Sequence, residues 1–261
     1  MSGNRTEEMS FWDHLTELLG RFRRIFYAFI ISTLVVMVVP IRIDLANQNL
    51  FYQTIASTLI SDLPGRFLAD NVDLIPLSFF APLEVYFFIS VVLGATISLP
   101  IASYELYKFF SPALYEREKR FALEFTVPFI GLFTFGLIFG YLFILPVSFQ
   151  TMLSFSNLMS LSPTYNFVEF FSMVGMMLLM SGLLFTFPIY IYVLVRAGIL
   201  RTEQLTKNRK YLYGFILIAI AILDPEPSLI TEGFTFIPIV LLMEISIFFS
   251  KRVERDREVK G

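Results

Sequence analysis

Six apolar stretches sort the lysines and arginines of this chain into alternating rich and poor segments: 4 before the first stretch, then 2, 4, 0, 5, 0 and 5. Basic residues in short loops stay on the cytoplasmic side, because carrying a cation across hydrocarbon is costly and the membrane potential opposes it. The alternation therefore predicts six membrane spans with both ends in the cytoplasm. Composition points the same way. With 56% apolar residues, 31 Phe and only 16% charged residues in 261, one soluble core could not hide the hydrophobic surface.

The chain divides into a cytoplasmic N-terminal segment (1–24), a six-span all-α membrane domain (25–250) and a polar cytoplasmic tail (251–261). The spans fall at about 25–41, 77–110, 121–145, 167–195, 211–223 and 229–250. The second exceeds the ~20 residues that cross ~30 Å of hydrocarbon and should tilt, kink at Pro100 or protrude. Before it, a short interfacial helix is expected at about 51–60, with Pro64-Gly65 as a turn. Pro146 helps to end the third span, an outer loop follows at 147–166, and Pro188 interrupts the fourth. At 1.5 Å per residue the fifth reaches only roughly 20 Å. Short spans 5 and 6 predict a locally thinned bilayer or an outer end sunk in a concave, glove-like bundle. Gly131, Gly136 and Gly140 recur at about one turn and permit a close helix approach, while Met173, Met176, Met177 and Met180 give the fourth span adaptable packing.

Several function classes drop out. A net charge of −2 disfavours nucleic acid, whose phosphates call for an excess of Lys and Arg. With no cysteine and the single histidine His14, no disulfide or metal pattern exists and no cofactor is expected. The polar start has no small-residue cleavage pattern and does not read as a cleaved signal. Nothing suggests covalent chemistry, so the chain is not read as an enzyme.

The remaining polar residues fall into two groups. Glu84, Glu169 and Glu232 sit near outer span ends and Glu244 near the inner end of span 6, with no intramembrane Lys or Arg to pair with them. Because intramembrane carboxylates are costly, this predicts a wet, concave outer face. On the cytoplasmic side Asp13, Glu17, Glu105, Glu116, Glu118 and Glu124 outnumber Lys108, Arg117, Lys119 and Arg120. They form either a solvated surface or a site for a basic ligand, since carboxylates accept an arginine guanidinium through two hydrogen bonds at once.

These residues carry a family resemblance. Asp13-His14-Leu15-Thr16-Glu17-Leu18 resembles the E-H-L-x-E-L-R motif of the TatC family, the core subunit of the twin-arginine protein translocase. Pro100, Tyr104, Phe109, Pro112, Leu114, Tyr115, Glu118 and Arg120 fall at the spacing of that family's P-x-x-x-Y-x-x-x-x-F-x-x-P-x-L-Y-x-x-E-[KR]-R run. Pro82 and Glu84 resemble its S-P-x-E, Arg209-Lys210-Tyr211 its R-K-Y, and Leu242-Met243-Glu244-Ile245 its L-x-E-[IL]. The chain departs from the pattern at Leu19, where E-L-R closes on arginine, although Arg21 two places on is retained. It departs again at Thr186, in place of a mid-membrane glutamate, and at Glu232, in place of a glutamine.

The resemblance implies a Sec-independent translocase subunit of the cell membrane that binds twin-arginine signal peptides of folded cargo and nucleates an export complex driven by the proton motive force. It implies signal-peptide binding by Glu17, Arg21, Phe109 and Glu118. It also implies docking of single-span TatA/TatB-type subunits along a polar groove with Glu84, Glu169, Thr186 and Glu232, in contact with lipid and within a homo-oligomer. The absence of a G-x-x-x-x-G-K-[ST] loop agrees with that energy source. The rival expectation is a proton-coupled secondary transporter of a small solute, which calls for midplane carboxylates and internal repeats.

Overall fold

The computed structural model describes residues 11–42, 53–68, 72–110, 119–161, 164–196, 198–224 and 228–258. Helix α1 (Phe11–Val38) rises from the charged segment and packs antiparallel along α3 (Ala81–Phe110). Three contacts set that register: Arg24 meets Glu105, Thr33 meets Gly94, and the Tyr86 hydroxyl donates to the Met37 carbonyl. Between these helices, β1 (Pro40–Arg42) pairs antiparallel with β2 (Gln53–Thr54), which leads into α2 (Ile55–Phe67). Thr54 caps α2 by accepting the Ser57 N–H at 3.2 Å.

Pro64 lies inside α2 and makes no turn there. The helix continues because Leu63 and Phe67 are buried, Phe67 against the rings of Tyr141 (5.3 Å) and Phe149 (6.0 Å). Burying two such side chains contributes about as much as the ~3 kcal/mol that an interior proline costs.

Strand β3 (Asp73–Ile75), just ahead of α3, pairs in parallel with β4 (Thr164–Asn166), just ahead of α6 (Phe167–Phe185). Helices α3 and α6 therefore start at the same end of the bundle, the relation that an alternating path gives to spans 2 and 4.

The third apolar stretch is longer than the sequence suggested. Helix α4 (Lys119–Phe139) passes through one π turn, Gly140–Ile144, into α5 (Leu145–Leu158), so much of the expected outer loop is helical. Pro146 sits in the first turn of α5 and does not end the rod. Its ring would meet the carbonyl four residues back in a regular α-helix. The π turn, closed by the Leu145 N–H on the Gly140 carbonyl, widens the backbone directly upstream.

Downstream of α6, Thr186 breaks the rod ahead of Pro188, and α7 (Phe187–Arg196) resumes it. Then come α8 (Thr202–Lys207), α9 (Arg209–Leu223) and α10 (Leu229–Glu258). At 15 residues α9 spans about 22 Å, short as expected. Helix α10 is not short. Its 30 residues run past Ser250 to Glu258, because the stretch after Pro238 lacks glycine and proline and its end is rich in Lys, Arg and Glu, all good helix formers.

By length and composition four helical stretches among the described residues are able to cross a membrane: Ala81–Glu105, Phe125–Leu158, Phe167–Arg196 and Leu229–Arg255. Helix α9 is too short for this class, and the stretch of α1 beyond Arg24 to Val38 is only 14 residues. Phe79, Ile218, Ile222, Ile237 and Phe248 are exposed, as lipid-facing side chains are. One core joins α1, α2, α3, α5 and α6 around Val36, Val85, Leu145 and Phe171. A second joins α7, α9 and α10 around Ile191, Ile220 and Met243.

Between helices in lipid, close packing replaces the hydrophobic driving force. A Cβ on Gly136 would lie 2.8 Å from the Ser181 carbonyl, and the Ser181 hydroxyl donates to the Gly136 carbonyl at 2.8 Å. Gly140 also abuts Ser181, whereas Gly131 faces open space. Two of the three glycines thus serve the approach of α4 to α6.

Candidate functional site

Helix α1 places Glu17, Arg21 and Arg24 about one turn apart, and α3 brings Glu105 against them. Arg21 donates Nε to Glu17 Oε1 at 3.1 Å and Nη2 to the same oxygen at shorter range. Its Nη1 lies 3.4 Å from Glu105 Oε2. Arg24 Nη1 reaches both Glu105 oxygens at 3.1 Å. The result is a chain of alternating charge, Glu17–Arg21–Glu105–Arg24. Side-chain exposure falls from 61% at Arg24 to 12% at Arg21 and 10% at Glu105, so the shielded Glu105 carboxylate is offset by two guanidinium groups.

Glu17 uses only one oxygen in this chain. Its Oε2 is buried and has no hydrogen-bond partner among the described residues. An unsatisfied buried carboxylate oxygen is costly, and a donor arriving from outside would relieve it. The chemistry of the arrangement suits a guanidinium donor: Arg21 fixes the Glu17 rotamer through one oxygen, and the second oxygen has no donor among the described residues.

Of the other residues expected here, Phe109 falls in the last turn of α3 with its side chain outside the described residues, and Glu118 lies outside them altogether. Sequence reasoning placed Glu105 only within a general acidic cluster and missed its pairing. The spacing Glu17–Arg21, one helical turn, signals the first ion pair; the reach of Arg24 to Glu105 depends on the α1–α3 register.

At the opposite end, Glu84, Glu169 and Glu232 each occupy the first turn of a helix: α3, α6 and α10. There the partial positive charge of the helix N-terminus favours a carboxylate, a local reason for their position. Glu169 accepts the Asn166 side-chain amide at 3.3 Å and lines a cavity of about 400 Å³ with Phe88, Phe149, Tyr165, Met173 and Met176. Thr186 stands apart from this group. It is fully buried, its hydroxyl donates to the Leu183 carbonyl at 2.6 Å, and it lies about 25 Å along the rod from Glu169.

Glu244 is not left without a cation. Arg209, at the start of α9, reaches it at 2.9 Å, and the Tyr213 hydroxyl donates to its other oxygen. The antiparallel return of α9 to α10 makes this pairing, which no spacing in the sequence reveals.

Residues 13–238 match the family described as Sec-independent protein translocase protein (TatC). The protein of that name from Aquifex aeolicus (strain VF5) is 35% identical over 189 residues, covering 72% of this chain and 78% of its own length. The one from Desulforapulum autotrophicum is 31% identical over 260 residues, covering 98% and 91%. A solved structure described as the twin arginine translocase receptor TatC superposes with a TM-score of 0.72 at 31% identity, covering 92% of this chain and 99% of that one.

Proposed function

The chain belongs to the TatC family of Sec-independent protein translocase proteins, and on that premise we propose that it captures twin-arginine signal peptides at the inner face of the cell membrane. The buried Glu17 Oε2, without a hydrogen-bond partner among the described residues, is the observation that carries this proposal. One arginine of the signal bonds that oxygen. Glu118, which the family motif puts in the adjoining loop, takes the other, and Phe109 packs beside them. Arg21 and Glu105 hold Glu17 in place. Lysine substitutes poorly, because a point charge cannot form the same forked bonds.

Helices α1 and α9 complete a six-span path with both ends in the cytoplasm, in keeping with the distribution of Lys and Arg. Single-span TatA/TatB-type subunits dock at the outer carboxylates Glu84, Glu169 and Glu232. The short α9 thins the bilayer beside them, and the proton motive force drives export through a complex of several copies. Thr186, the further residue of the expected groove, is fully buried, which supports the helix starts as the docking surface in this reading. A small-solute transporter is disfavoured: the family is one of protein translocases, and Glu84, Glu169 and Glu232 lie in the first turns of their helices and not at helix centres.

Export of a folded fluorescent reporter separates these functions. A signal with two arginines should deliver it across the membrane in cells dependent on this chain, and a Lys-Lys signal should not. Equal export with either signal would overturn the proposal.

A further inference from the structure

A groove of about 1120 Å³ runs between α4, α7 and α10, lined by none of the residues of the Glu17 network and unused by the function proposed above. Its walls are apolar, among them Val127, Leu132, Ile189 and Phe249, and its floor is tied by the Ser246 hydroxyl donating to the Pro188 carbonyl at 2.7 Å. Gly131 faces the space, and a Cβ there would meet nothing within 4 Å.

One end of the groove is cationic. Arg252 lines it, and Val253 is shared with a neighbouring cleft of about 230 Å³ that holds Arg196 and Arg201. Among the described residues Glu254 is the carboxylate lining that cleft, accepting from the Thr202 N–H at 3.1 Å and from the Thr202 hydroxyl, so the groove end and the cleft together carry three arginines against one carboxylate.

Length selects the occupant. Along α10 the groove extends from Leu242 to Val253, about 16 Å, which is half the ~30 Å hydrocarbon thickness. A partner helix that crosses the membrane would need a groove of twice that length. A lipid of one leaflet needs only this depth, with its headgroup at the mouth. Basic pockets between membrane helices suit anionic headgroups.

We propose that this groove is a binding site for an anionic phospholipid of the leaflet at the C-terminal end of α10, with acyl chain against Gly131 and phosphate at Arg252 and Arg201. The lipid fills the seam between α4 and the α7–α10 pair.

Native mass spectrometry of the full chain in neutral detergent, titrated with phosphatidylglycerol or phosphatidylcholine, tests the site. The intact protein should retain phosphatidylglycerol about thirtyfold better than phosphatidylcholine, from two charge contacts. The double variant Arg201→Gln, Arg252→Gln should bring the two lipids to within about twofold, and Gly131→Phe should remove the tightest adduct of both. Glycerol phosphate at the same concentration should not compete. Equal retention of both lipids by the intact protein would overturn the proposal, as would a preference that survives the arginine changes. Displacement of the lipid by a single-span partner peptide seated in the groove would assign the site to a helix instead.

Discussion

Arg24 and Glu105, 81 residues apart in sequence, meet with one guanidinium nitrogen 3.1 Å from each carboxylate oxygen, and that contact joins the middle of α1 to the C-terminal end of α3. The two partners should respond unequally to substitution. Arg24 is mostly exposed, so Arg24→Gln should cost within about 1 kcal/mol. Glu105→Ala strips the inner partner of Arg21, itself only 12% exposed, and should cost roughly 3 kcal/mol. Thermal unfolding in detergent measures both, and equal losses would mean that Glu105 is better hydrated than its enclosure implies.

Farther along the same pair, Gly94 admits no side chain. A Cβ there would lie 2.7 Å from Thr33 Cα, backbone that cannot swing aside. Gly94→Ala should destabilise by about 1–3 kcal/mol, as overpacked substitutions do, whereas Gly131→Ala, in open space, should be near neutral. The difference between the two unfolding temperatures is the readout.

The Glu244 carboxylate accepts from Arg209 and Tyr213 together. Glu244→Ala leaves the Tyr213 hydroxyl without its acceptor and should cost about 1–3 kcal/mol, more than Arg209→Gln, whose exposed pair contributes ~0–1. Adding Tyr213→Phe to Glu244→Ala should recover part of the loss, since both polar groups are then gone.

Topology is directly open to cysteine mapping, because the chain has no cysteine of its own. A membrane-impermeant thiol reagent should modify Ser228→Cys, ahead of α10, from outside intact cells, and Lys210→Cys, at the start of α9, only after the membrane is opened. Insertion of four leucines into α9 lengthens it by about 6 Å and should impair export by removing the thin edge. Full export by that variant would separate transport from thinning.

The apolar segments were legible in the sequence because hydropathy and the Lys/Arg pattern are local or additive signals. The short α9 and the break before Pro188 were legible for the same reason. Pro64 and Pro146 misled because their outcome depends on partners: Leu63 and Phe67 draw α2 past one, and a π turn accommodates the other. In the site, Glu17 and Arg21 lie one turn apart on a helix and could be paired by spacing alone. Glu105 could not, since its contacts with Arg21 and Arg24 exist only once α1 and α3 are in register. Glu244 with Arg209 is the same case on α9 and α10.

Recognition of paired arginines through the spare Glu17 oxygen is most directly tested by the affinity of the purified full chain for a twin-arginine signal peptide and for its Lys-Lys counterpart, with and without Glu17→Gln. The intact protein should favour the arginine peptide by about tenfold or more, a charge-assisted hydrogen bond's worth, and Glu17→Gln should abolish most of that preference. Equal affinity for both peptides, or a preference untouched by Glu17→Gln, would contradict it.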